Sequence, residues 1–220
     1  PSHLYPPPLH THIHVNRSTL TVVQQPMRAR MCGFGDKDRR PCTPPPIVRL
    51  TFKEPVNIDE IDTTFFVVIV DLWSPDQTSE LNLVVHTAAP TISGPDPAGS
   101  DRPSPHGGIA SCTRNLVGSL VASASKLYDL NGELGIFFVF QDLSIRTEGQ
   151  FRLKFSFANL ANNEASSPVS NVECEVFSDA FFVYSAKRFP GMIESTPLSR
   201  CFAKQGVKIP VRKDSSKAHR

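Results

Sequence analysis

Proline sets the tightest limit on what this chain can fold into. Twenty prolines are spread through 220 residues, several in clusters. Each removes a backbone donor and is excluded from helix interiors and central strands. A mainly helical protein is ruled out. Between the prolines lie short β-branched and aromatic runs. Ser18–Gln24 and Ile47–Phe52 read as strands, as do Leu81–His86, Gly135–Phe140 and Ala180–Ser185. Phe151–Phe157 alternates strictly, with Phe151, Leu153, Phe155 and Phe157 set against Arg152, Lys154 and Ser156, and Asn171–Phe177 alternates too. That period of two marks strands with one buried face. Phe65–Leu72 is apolar through its first six positions, which predicts burial on both faces. Asn131-Gly132 supplies the positive φ of a tight turn. Many short strands with turn chemistry between them predict a mainly β sandwich or barrel.

One helix is punctuated in the sequence. Thr196 can cap it, Pro197 suits its first position, Leu198 to Gln205 follow, and Gly206 stops it. Leu198, Cys201 and Phe202 share a face that should pack on a sheet, and Arg200 and Lys204 lie opposite. The domain is expected over residues 17–213, after a Pro- and His-containing lead-in at 1–16 and before a basic tail at 214–220. A Pro-rich loop is expected at about 87–110. No run is apolar enough for a membrane span, and no basic stretch ahead of an apolar run marks a secretory leader. Five cysteines without a C-x-x-C pair read as free thiols of a reducing compartment.

Charge is unevenly distributed. Residues 1–49 sum to +5, residues 50–186 to −10 and residues 187–220 to +7. A polyanion-facing surface built from the two ends is the expectation. The densest basic stretch is Arg28-Ala-Arg30-Met-Cys32-Gly33-Phe-Gly35-Asp-Lys37-Asp-Arg39-Arg40. Arg28 and Arg30 point the same way on an extended backbone. The glycines let the chain turn, and Lys37, Arg39 and Arg40 follow on a loop. A guanidinium can grip a phosphate or the edge of guanine with two hydrogen bonds.

This stretch resembles the recognition loop of Rel-type (NF-κB-like) domains, where arginines also precede a Cys near a Gly. Its closer likeness is to the velvet family of fungal regulators. The blocks that carry it are Arg28 to Pro41 with Pro44–Pro46, Leu116–Ser119 running into Lys126–Gly132, Gly135–Gly149, and Tyr184–Gly191 through Glu194–Ser199 to Gln205-Gly206. With their flanking strands they span roughly residues 18 to 213. The wording of the first block is VelB/VelC-like. The resemblance implies an immunoglobulin/Rel-like β-sandwich with one short C-terminal helix. It also implies a dimeric, sequence-specific DNA-binding transcriptional regulator of development, sporulation and secondary metabolism, in nucleus and cytoplasm. Lys37, Arg39 and Arg40 fall where the family's DNA-contacting residues lie, and Arg28 and Arg30 join them by analogy with Rel. Implied partners are double-stranded DNA, another velvet protein as homo- or heterodimer, and a methyltransferase-like regulator. The alternative is a protein-interaction subunit whose partner makes the DNA contacts.

Other candidate chemistry is thin. His10, His12 and His14 would share one side of a strand, but no second ligand cluster accompanies them, and no metal or cofactor is expected. His106-Gly107-Gly108 has no G-x-S-x-G elbow to serve, and Gly33-Phe-Gly35 is too short for a dinucleotide loop. Glu54, Asp59, Glu60 and Asp62 read as surface solvation rather than an acid/base pair. Catalysis is not expected. Cys32, among arginines, is a candidate for redox sensitivity.

Overall fold

The computed structural model describes residues 18–35, 39–87, 110–162 and 172–212. In chain order its strands are β1 (Ser18–Gln24), β2 (Arg28–Arg30), β3 (Ile47–Phe52), β4 (Phe66–Trp73), β5 (Leu83–Thr87), β6 (Ala110–Arg114), β7 (Leu116–Val117), β8 (Val121–Ser123), β9 (Ser125–Tyr128), β10 (Leu134–Val139), β11 (Ser144–Ile145), β12 (Gly149–Asn159), β13 (Val172–Phe177) and β14 (Phe181–Tyr184). The helix α1 spans Pro197–Lys204. One sheet has the order β1-β3-β10-β9. The other runs β2-β14-β12-β4-β8, with β13 also paired to β12. Two short ladders, β11-β7 and β5-β6, complete the fold. The two sheets face one another as a β-sandwich.

The alternating residues of both sheets build one core. Leu20, Val48, Leu50, Ile136 and Phe138 meet Val68, Val70, Leu72, Leu153, Phe155 and Phe157. Register follows the pattern: Phe155 opposes Val70 and Phe157 opposes Val68 across the β12–β4 ladder. Phe66 and Phe157 add an edge-to-face pair, with ring centroids 5.3 Å apart. On β12 the residues between them turn outward, where Lys154 pairs with Glu175 at 2.8 Å.

The expectation that β4 is buried on both faces is corrected. Phe66, Val68, Val70 and Leu72 enter the core, but Ile69 is 37% exposed and Phe65 is 49% exposed. Ile69 opposes Val121 of β8, itself exposed, so the outer face of this part of the sheet lacks a covering layer among the described residues. The opposite sheet does have one. Phe137 on the outer face of β10 packs with Ile47, Leu127, Phe202 and Ile209 in a second cluster, which is why Ile136, Phe137 and Phe138 are all buried.

That cluster places α1. Thr196 caps it by accepting from the Ser199 amide at 3.0 Å, and Pro197 occupies its first turn. Buried Gln24, at the end of β1, donates to Pro45 O and Ser199 Oγ and accepts from the Thr196 hydroxyl. The helix start is therefore pinned to the strand that leads into the arginine-rich segment. Arg200 on its outer face pairs with Glu194.

Gly132 sits at φ +79 in the expected turn, where Asp129 accepts from the amides of Asn131 and Glu133. Gly118 is a stricter requirement: its φ is +113, and a Cβ there would overlap the carbonyl of Asp142. Gly118→Ala is expected to cost about 2 kcal/mol through strain and displacement of the Asp142 backbone. A urea unfolding midpoint is the check.

Candidate nucleic-acid interface

The arginine-rich segment enters along a sheet edge. β2 lies parallel to β14, with Arg28 opposite Phe182, Ala29 opposite Val183 and Arg30 opposite Tyr184. Ala29 is fully buried, so the alternation of an extended strand turns Arg28 and Arg30 to the outer side. These two residues lie as the sequence predicts.

Beyond Arg30 the chain is fastened at two feet. On the outgoing side the Met31 amide donates to Tyr184 O, Cys32 to Ile145 O and Gly33 to Arg146 O, at 2.8, 2.9 and 3.1 Å. Gly33, at φ +62, then turns the chain away. On the return side the Ser144 hydroxyl donates to Arg40 O at 3.1 Å. Cys42 N donates to Leu143 O at 2.7 Å, and Thr43 N to Arg28 O at 2.9 Å. Both feet thus stand on the segment 143–146. Between them Phe34, Arg39 and Arg40 are exposed. Lys37 and its neighbours 36–38 lie outside the described residues, as do His10, His12, His14 and most of the Pro-rich stretch. The prolines behind the loop stiffen its return: Pro44 and Pro46 are buried against the fold.

Sequence reasoning missed Arg146. Its guanidinium donates to Gly33 O at 2.8 Å and to Arg114 O at 3.0 Å, and lies 5.9 Å from the Phe34 ring centroid. It therefore ties the loop's outgoing foot to the end of β6. Behind it, buried Asn115 accepts from the Thr147 amide and hydroxyl, and the Asn115 carbonyl accepts from Arg146 N. The signal was an arginine between buried Ile145 and the Thr147 turn, inside a block already singled out for its wording. The turn at 186–188 opens the basic C-terminal stretch that the charge distribution marks. Exposed Lys187 and Arg188 follow closely on Tyr184, and Arg188 pairs with Glu148 at 2.9 Å. An exposed pair like this one contributes little stability.

The thiols differ in environment, and no disulfide joins any two of them. Burial pushes the Cys42 thiol up to about 12. Partial burial raises Cys174, opposed by the hydrogen bond from Ser18. Cys32 is half-buried, its thiol directed at Gly33 O, and Cys112 is exposed. Native thiol labelling is expected to reach Cys112 first, Cys32 next and Cys42 last; Cys32 lagging behind Cys174 would remove the case for redox sensitivity. The Cys42 shift also sets a pH dependence. The unfolded thiol ionises near the ordinary 9.0 while the folded one keeps its proton to about 12. Stability from this group is therefore present below pH 9 and is lost as the pH climbs through that window.

The carboxylates stay apart in role. Asn57 caps a short turn at Ile58–Glu60, and Asp62 accepts from Thr64. Among the described residues no group of His, Cys, Asp and Glu is assembled to hold a metal, and no helix is long and apolar enough to cross a membrane.

A mainly β sandwich that presents arginines from a loop fastened at both feet is the class of protein these features define. The family described as Velvet factor matches residues 18–215. Relatives agree. The chain is 40% identical to a velvet complex protein of Emericella nidulans, over 90% of this chain and 79% of that protein. It is 40% identical to the protein of the same name in Aspergillus flavus, over 100% and 85%. It is 42% identical to "Velvet complex subunit RYP3" of Ajellomyces capsulatus, over 92% and 80%. The chain belongs to the velvet family. The alignment with the Emericella protein runs over 291 residues, longer than the 220 of this chain, so that relative carries inserted residues.

Proposed function

We propose that this chain is a non-enzymatic transcriptional regulator that binds duplex DNA as a dimer through the loop spanning Arg28 to Arg40. The observation that carries the reading is the loop's mounting. Its two feet are hydrogen-bonded to one segment, while Arg39 and Arg40 stand exposed between them and Arg28 and Arg30 line the approach. Such a mount presents guanidinium groups without ordering them at the moment of binding, which lowers the entropic cost of association. Lys37 belongs to the same loop. Contacts to phosphate supply affinity, and base edges or DNA shape supply specificity. The relatives' names as members of a velvet complex support a second velvet protein as the dimer partner. A methyltransferase-like regulator is a further partner on this reading. Control of development, sporulation and secondary metabolism, from nucleus and cytoplasm, is part of the same proposal.

A protein-interaction subunit is the second reading, and the same names favour it. Fluorescence anisotropy with labelled promoter and random duplexes across a salt series separates the two. Duplex binding whose logarithm falls steeply with the logarithm of salt supports the first. No binding by this chain alone, restored on adding a velvet partner, supports the second.

A further inference from the structure

The outer face of the β2–β14 edge carries aromatic side chains that the duplex reading does not use. In the parallel ladder Arg28 opposes Phe182 and Arg30 opposes Tyr184, while Ala29 and Val183 between them are buried. Opposed residues of a ladder share a face, so arginine and aromatic side chains alternate across this one. Phe182 is 51% exposed. The aromatic row continues past the strand: Phe182 to Tyr184 is 6.1 Å between ring centroids, and Tyr184 to Phe189 is 6.5 Å. The interplanar angles of 41° and 54° mean that no ring covers its neighbour's face. At the border of the face Glu148 is engaged by Arg188.

An exposed phenylalanine costs solubility and contributes nothing to the core, so a face that keeps it beside two arginines is suited to a ligand with both π-surfaces and negative charge. A duplex hides its base faces by stacking them at ~3.4 Å per strand. A single strand offers them. We propose that this face binds single-stranded nucleic acid, with Phe182 and Tyr184 as stacking platforms for splayed bases and Arg28 and Arg30 facing the phosphates. The row of rings is spaced too widely for a continuous base stack and accommodates one unstacked base per ring. Flat sheet surfaces carrying aromatics between cationic side chains bind single strands in this sequence-tolerant way. The site shares Arg28 and Arg30 with the duplex-binding loop and adds the aromatic row of β14, which the duplex reading leaves unused. A strand displaced or melted beside the loop would have a place to lie.

The test measures anisotropy of a fluorescein-labelled oligothymidylate and of a labelled duplex with the full chain, Phe182→Ala, Phe182→Leu and Phe182→Trp. Phe182 is exposed, so all three variants should unfold at nearly the parent midpoint. The parent is expected to bind the oligothymidylate. Phe182→Ala and Phe182→Leu should each weaken that binding about ten-fold with the salt slope unchanged, and Phe182→Trp should retain it. Duplex affinity should stay the same throughout. Leucine keeps apolar area but has no π-face, so binding preserved in Phe182→Leu would overturn stacking. A parent that does not bind the oligothymidylate would also overturn the proposal. So would a Phe182→Ala variant whose dimer mass changes while its oligothymidylate affinity does not, which would assign the face to a protein partner. A chain that binds the single strand but not the duplex would leave this inference standing and remove the duplex reading.

Discussion

Arg146→Ala is expected to weaken duplex binding about ten-fold while leaving its salt dependence nearly intact. The arginine's charge is directed inward, at the carbonyls of Gly33 and Arg114, and its plane lies toward Phe34. Its removal leaves two carbonyl oxygens without this donor and frees the loop's outgoing foot. Each hydrogen bond from a charged donor contributes roughly 1.5–3 kcal/mol where it is shielded, but Arg146 is only half-buried. A stability loss of about 1–2 kcal/mol is therefore the expectation. Affinity falls because the basic side chains must then be ordered on binding. Arg146→Lys should not restore it, since a single ammonium cannot span both carbonyls as the fork does. Anisotropy across salt, with hydrogen exchange at the Cys32 and Gly33 amides, is the check. Faster exchange at those amides with an unchanged slope supports positioning. A slope reduced by a full unit would instead make Arg146 a direct phosphate contact.

The largest loss of stability is expected from Phe202→Ala. The ring is fully buried beneath α1, packed with Ile47, Leu127 and Ile209, and meets Phe137 at a centroid distance of 4.8 Å and 61°. Truncation removes transfer free energy and leaves a cavity, together about 3–5 kcal/mol. For a domain of this size that corresponds to a midpoint lower by roughly 10 °C. The effect should reach beyond the helix, because Gln24 joins the helix cap to β1 and Pro45. A calorimetric scan measures it. A loss under about 1 kcal/mol would mean the helix is not packed on this sheet.

The long strands were legible because burial on one face writes itself as a period of two. β1 and β3 begin and end where the pattern does, and β12 shows its Phe/Leu face inward and Arg152 and Lys154 outward. The helix was legible from Thr196, Pro197 and Gly206, whose roles are local. β7, β8, β9 and β11 were not anticipated; they have two to four residues each, too few for a periodicity, and depend on partners distant in the chain. The misjudged face of β4 has a related cause. Six apolar residues in a row do not state whether a second layer exists, and among the described residues it covers the opposite sheet. At the candidate site the basic residues were read from their clustering. Arg146 was not, because its importance lies in the carbonyls of Gly33 and Arg114, 113 and 32 residues away in sequence.

On this account the loop spanning Arg28 to Arg40 carries the contacts to duplex DNA, with Lys37, Arg39 and Arg40 at its tip. The most direct measurement is the salt slope of duplex affinity for the parent chain against a variant in which Lys37, Arg39 and Arg40 are all alanine. Each phosphate contact contributes close to one unit of slope, so a slope about three units shallower is predicted, with an unfolding midpoint close to the parent's because Arg39 and Arg40 are exposed. Equal slopes and equal affinities for the two chains would contradict the claim and move the DNA contacts elsewhere.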